Sequence, residues 1–118
     1  NDGGLAVGYS CDATDEAQIV ALIDEIEPTV VPIVVPIEVA CYNAAVGVAH
    51  SILDFPTEDY ERVWRINTLG AFLMGREVAK RMNDRGRGTI LFTGATSTLR
   101  GKARLAHLPV LNTRARFG

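Results

Sequence analysis

The feature that most constrains this chain is an alternation of short apolar runs with segments of helical period. Gly4 to Cys11 is a partly alternating apolar run that ends at Asp12-Ala13-Thr14-Asp15. This is the pattern of a strand running into a helix cap, where Thr14 or Asp15 can accept from a free backbone N–H. Behind it Ile19, Leu22, Ile23 and Ile26 recur at i, i+3, i+4 and i+7, which predicts an amphipathic helix ended by Pro28. Glu38 to Asn43 reads as a second strand, and the small residues Ala44, Ala45 and Gly47 follow it, as where backbone must approach something closely. Phe55-Pro56-Thr57-Glu58-Asp59 opens a longer helix, with an N-cap hydroxyl and acids in its first turn. That helix is expected to reach about Arg85, with Val63, Ile66, Leu69, Gly70 and Leu73 on one side, and to stop at Gly86-Arg87-Gly88. Thr89 to Thr93 is a third strand, apolar at its centre as in a parallel sheet covered on both faces. The order strand, helix, strand, helix, strand predicts an α/β fold: a partial doubly wound parallel sheet of three strands and two main helices. In that architecture ligands sit outside the C-terminal strand ends, here Asp12, Asn43 to Ala45, and Gly94 to Ser97.

Between the first helix and the second strand the tetrad Val-Val-Pro-Ile occurs twice, at 30–33 and 34–37, and its prolines forbid a central strand there. The same prolines, with Glu38, interrupt the longest apolar stretch well short of the ~20 residues that a membrane-spanning helix needs. Asn1-Asp2-Gly3-Gly4 lacks the charged and apolar regions of a signal peptide. Cys11 and Cys41 match no metal-ligand or redox spacing, so reduced thiols in a cytoplasmic protein are expected, with no metal site and no disulfide scaffold.

The net charge of -2 conceals an uneven distribution. Residues 1–60 hold eleven acids and no Lys or Arg, whereas residues 61–118 hold all twelve bases and three acids, so the halves carry -11 and +9. The arginines are spread along a helix and two loops without interleaved aromatics, which argues against a nucleic-acid surface. The expected reading is that two parts of one domain attract each other.

At the strand ends and in the second helix the sequence resembles the short-chain dehydrogenase/reductase family, across roughly residues 4–103. Cys11-Asp12-Ala13-Thr14-Asp15 is similar to the family's strand-end aspartate, which implies that Asp12 accepts from the exocyclic amine of adenine while the N–H of Ala13 donates to a ring nitrogen. Tyr42-Asn43-Ala44-Ala45 resembles the family's Asn-Asn-Ala-Gly, past which the adenosine ribose runs; Ala45 in place of Gly matters if that backbone takes positive φ. The run Glu58 to Phe72, centred on Asn67, resembles the helix in which the family's Asn widens the turn and positions the catalytic lysine. Gly86 to Ser97 resembles the strand that bears the family's active-site serine.

The resemblance implies a Rossmann-like fold, NAD or NADP as cofactor, and reversible hydride transfer between that cofactor and a small-molecule alcohol/carbonyl pair. Asp12, Ala13, Asn43, Ala44 and Ala45 would contact cofactor, and Asn67 and Ser97 would serve the active site. The chain also departs from the pattern. A gap-free count puts the family's serine on Ala95, so that Ser97 or Thr96 could serve only after a local shift, and puts its tyrosine and lysine at Leu108 and Asn112. That chemistry needs a phenol whose pKa is lowered by a neighbouring ammonium, and neither residue supplies one. The glycine-rich phosphate loop is missing too, because the chain opens on what corresponds to the family's third strand.

These departures predict residues 1–103 as a partial NAD(P)-binding domain lacking its first strands and phosphate loop, and 104–118 as an irregular tail. They also predict a truncated and frameshifted gene: read from the third base of the His107 codon, a permitted translation is Phe-Ala-Ser-Ala-Lys-Tyr, similar to the family's segment around its lysine. In the family's sheet order the third strand is separated from the fourth by two others. Here, then, the first strand must pair directly with residues 38–43, remain loose, or be joined by another chain. The resulting expectation is a fragment of an NAD(P)-dependent oxidoreductase, inactive alone. The alternative is a non-catalytic remnant that pairs with a second copy through helix 57–85.

Overall fold

The computed structural model describes residues 3–28 and 35–95. Its elements in chain order are α1 (Glu16–Ile26), β1 (Val39–Tyr42), α2 (Thr57–Trp64), a π-helical turn (Arg65–Leu69), α3 (Gly70–Arg85) and β2 (Thr89–Phe92). β1 and β2 are parallel and in register from Val39 opposite Thr89 to Tyr42 opposite Phe92. α3 crosses over between them, as a parallel pair requires.

α1 begins where Asp15 accepts from the N–H of Gln18 at 3.1 Å, so Asp15 rather than Thr14 is the N-cap. Ile19 and Ile23 are buried against α3, and the helix ends at Ile26, two residues before Pro28. α2 corrects the expected hydroxyl cap: Pro56 occupies the N-cap position and makes no side-chain bond, while Thr57 is already the first helical residue. The first-turn acids Glu58 and Asp59 remain to meet the positive end of the dipole. At the other end Gly86 takes the left-handed conformation (φ 68°), and the N–H of Arg87 closes on the carbonyl of Met82 at 3.2 Å.

The core lies on one side of the sheet. Tyr42 and Ile90 point into it from the strands, α1 adds Ile19 and Ile23, and α3 adds Leu73, Met74, Val78 and Met82. The intervening strand residues face the opposite way and are uncovered among the described residues, with Val39 61% and Leu91 49% exposed. The expectation of a sheet covered on both faces therefore holds for one face only.

The expected three strands are two among the described residues. Residues 4–11 join no ladder, and Leu5 is 95% exposed. Of the three outcomes open to that segment, direct pairing with residues 38–43 is not the one seen: within the described residues of this chain the segment is unpaired. An apolar alternation becomes a strand only where a neighbour takes up its N–H and C=O groups.

The acidic and basic halves meet as expected. Glu16, Asp24 and Glu27 from α1 and its C-terminal cap pair with Arg76, Arg81 and Arg85 of α3. Exposed pairs of this kind contribute only about 0–1 kcal/mol each, but the Glu27–Arg85 pair does more. Its carboxylate also accepts from the N–H of Ile37 at 2.7 Å, and Arg85 donates to the carbonyl of Ile37. The pair therefore fixes where the chain enters β1. On α3 itself Glu77, whose side chain is 7% exposed, is held by Arg76 and Lys80, both at 2.9 Å. The Lys80 hydrogen bond, helped by Arg76 and opposed by burial, lowers the Glu77 pKa below the ordinary carboxylate value.

Candidate functional site

The site forms where β1 ends. Asn67, 2% exposed, lies at the centre of the π-helical turn. Its side-chain oxygen accepts from the N–H of Val46 and its amide donates to the carbonyl of Val46, both at 2.9 Å. One amide side chain thereby satisfies both backbone groups of a residue in the loop that leaves β1. The same geometry ties the loop after Asn43, Ala44 and Ala45 to the helix. The widened turn expected at Asn67 is present as the π-helical turn itself, a form common at functional sites.

Tyr42 supplies a second tie, which the sequence reading missed. Its hydroxyl donates to the carbonyl of Ile66, inside the π-helical turn. Burial first, and the Asp12 charge second, raise its pKa above the ordinary phenol value. The ring can pack there because residue 70 is glycine: a Cβ on Gly70 would collide with the Tyr42 hydroxyl and stand 2.7 Å from the carbonyl oxygen of Ala13. Strand end, π-turn and the loop before α1 thus converge on one glycine.

Asp12 sits on that loop. Its Oδ1 accepts from the N–H and the hydroxyl of Thr14, at 2.8 and 2.9 Å, and its own N–H donates to Gln18 Oε1 at 2.9 Å. The Asp12 side chain therefore shapes the turn before α1, with Oδ2 outside these bonds. Asn43, Ala44 and Ala45, which follow β1, are exposed. No non-glycine described residue has positive φ, so Ala45 replaces the family's glycine without backbone strain. Thr93, Gly94 and Ala95 follow β2 at the same end of the sheet, where the N–H of Thr93 donates to the carbonyl of Tyr42 at 3.0 Å. Ser97 and Thr96 lie outside the described residues, as do Leu108 and Asn112.

Between the Asp12 loop and the second helix lies a cleft of about 360 Å³. Asp12 and Thr14 form one wall, and Glu58, Glu61, Arg62, Arg65 and Ile66 form the other. Its size lies within the range of small-ligand sites. At the start of α2, His50 is 3.3 Å from Asp59, and its ring packs against Phe55, which packs edge-on against Tyr60. These contacts hold the 46–56 loop against the helix start. Among the described residues no cluster of three or more His, Cys, Asp or Glu side chains could hold a metal ion, and no helix is long and apolar enough to cross a membrane.

The sequence model of the short chain dehydrogenase family matches residues 1–108. The chain belongs to the short-chain dehydrogenase/reductase family. Members are oxidoreductases built on a Rossmann-type NAD(P)-binding fold, and they act on small molecules. Among its relatives is the (21S)-21-acetoxyl-apo-melianone synthase of Melia azedarach, 35% identical over 98 residues, a match covering 80% of this chain and 35% of that one. A short-chain dehydrogenase from Rhodopseudomonas palustris superposes with a TM-score of 0.79 at 33% identity over 90% of this chain and 48% of its own. A xylitol dehydrogenase with NAD+ bound superposes with a TM-score of 0.76 at 27% identity over 85% and 37%. The chain thus spans less than half the length of each of these proteins.

Proposed function

We propose that this chain carries the adenosine-binding and lysine-positioning part of an NAD(P)-dependent short-chain oxidoreductase. The observation that carries the reading is the convergence at the end of β1. Tyr42 and Asn67 lock the π-turn to the end of β1 and to the loop that follows Asn43 to Ala45, and Gly70 brings the Tyr42 hydroxyl and the carbonyl of Ala13, next to Asp12, to one point. The residues suit the adenosine end of the cofactor: a carboxylate oxygen for an exocyclic amine, the Ile66 side chain for a ring, and exposed small residues where a ribose must approach backbone. When bound, the cofactor supplies the hydride acceptor or donor. The chain's own residues bind the adenosine and hold the loop after β1 in place.

In this proposal residues 1–103 form the partial NAD(P)-binding domain and 104–118 a tail outside it. Asn67 keeps the lysine-positioning role without its lysine, Ser97 is the candidate hydroxyl for the substrate carbonyl, and the compartment is the cytoplasm, consistent with the free thiols of Cys11 and Cys41. The 118-residue chain alone does not turn over, because Leu108 and Asn112 stand where the tyrosine and lysine would be. Pairing of two copies through the helix 57–85 is supported by its exposed aromatics Tyr60, Trp64 and Phe72, 41%, 39% and 56% exposed. Titration of the purified chain with NADH, followed by cofactor fluorescence, tests the binding. Saturable binding without turnover of alcohols or ketones is the expected result; absence of binding would refute the reading.

A further inference from the structure

Among the described residues the cations are paired with carboxylates, with one exception. Arg62 pairs with Asp59, Arg76 with Glu16 and Glu77, Lys80 with Glu77, Arg81 with Asp24, Arg85 with Glu27, and Arg87 with Glu38. Arg65 forms no ion pair, although Glu61 stands one turn before it at the spacing that favours one. This unpaired guanidinium lines the same cleft as Asp12 and Ile66.

We infer that Arg65 is a binding residue that lies over the open face of an adenine ring held in this cleft, with the ring's exocyclic amine donating to Asp12 Oδ2. This deepens the function proposed above and rests on it. The charges of the cleft decide against a phosphate in this position. Asp12, Glu58 and Glu61 outnumber Arg62 and Arg65, and Arg62 is already turned toward Asp59. A neutral ring escapes that repulsion and offers a donor for the Asp12 oxygen left outside the turn's bonds, and a π-face for a planar cation. A guanidinium stacks on such a face, and an ammonium does so less well. Ile66, half-buried at the base of the helix wall, gives the ring an aliphatic contact.

The test uses the full chain with adenosine monophosphate as probe, read by the fluorescence of Trp64, the chain's only tryptophan and the neighbour of Arg65. Wild type is expected to bind this probe about tenfold more tightly than inosine monophosphate, which has the same phosphate but no exocyclic amine to give a carboxylate. Arg65→Ala should weaken adenosine monophosphate about fivefold, and Arg65→Lys, which keeps the charge but not the plane, should be nearly as weak. Both substitutions are on an exposed position, and unchanged helical circular dichroism confirms their fold. If Arg65→Ala binds the probe as wild type does, or Arg65→Lys restores full affinity, the stacking role is wrong while the cofactor reading stands. If wild type binds neither the probe nor NADH, both fall together.

Discussion

Asn67→Ala is the sharpest perturbation of the site. The substitution removes two hydrogen bonds of 2.9 Å from a side chain that is 2% exposed. Each contributes about 1 kcal/mol net, and a buried backbone group left unpaired adds about 1–3 kcal/mol more. Val46 is only half-buried, so water reaches part of what is lost, and the penalty falls at the low end of that range. The expected destabilisation is therefore about 3 kcal/mol, a large part of the stability of any small domain. Urea unfolding followed by far-ultraviolet circular dichroism measures it, and with an m-value of about 1.5 kcal/mol/M the midpoint falls by about 2 M. Hydrogen exchange supplies a local readout, since the Val46 amide loses its acceptor and its protection. The neighbouring Thr68→Val is the internal control: its hydroxyl is buried without a hydrogen-bond partner, so replacing it with a methyl is expected to be neutral or mildly stabilising. A loss below about 1 kcal/mol in Asn67→Ala, with Val46 still protected, would refute the claim that this amide holds the loop.

Two further outcomes follow from packing and charge. The folded-state pKa of Glu77 is lowered, so its contribution to stability is fully present above the carboxylate's unfolded pKa and is lost as pH falls through the lower folded value. Melting temperature against pH should show this acid limb in wild type and a flatter one in Glu77→Gln; parallel limbs would count against the role of Lys80 and Arg76. Gly70→Ala drives a Cβ into the Tyr42 hydroxyl and the Ala13 carbonyl, one of them rigid backbone, and overpacking of this kind costs about 1–3 kcal/mol. Chemical denaturation would show the loss, and an unchanged midpoint would mean that the three segments do not meet at this residue.

Much of this arrangement is legible in the sequence because it is local or carried by charge. The i, i+3, i+4, i+7 spacing of Ile19 to Ile26 marks α1, Gly86 marks the end of α3, and the segregation of acids and bases announces the pairing of α1 with α3. The π-turn at Asn67 was accessible only through the resemblance, since no spacing rule distinguishes it from an ordinary helical turn. What escaped depends on distant neighbours. Residues 4–11 have the alternation of a strand, but alternation does not create a partner for their N–H groups. Thr57 has the chemistry of a cap, yet Pro56, with φ fixed near -62°, takes the cap position and leaves Thr57 inside the helix. The tie made by Tyr42 and the place of Arg65 in the cleft are invisible beforehand, because they arise from how the second helix docks beside the Asp12 loop.

The π-turn also acts as a phase shifter. Each residue of an α-helix advances about 100° around the axis, so the extra residue taken up between Arg65 and Leu69 sets the angle at which α3 continues from α2. Deleting one residue there would let an unbroken α-helix form, locally the more regular structure. It would also rotate Arg76, Arg81 and Arg85 by about 100° away from the acids of α1 if α2 kept its place. The irregular turn is therefore a geometric setting on which the whole helix pairing depends. In this segment the number of residues matters as much as their identity.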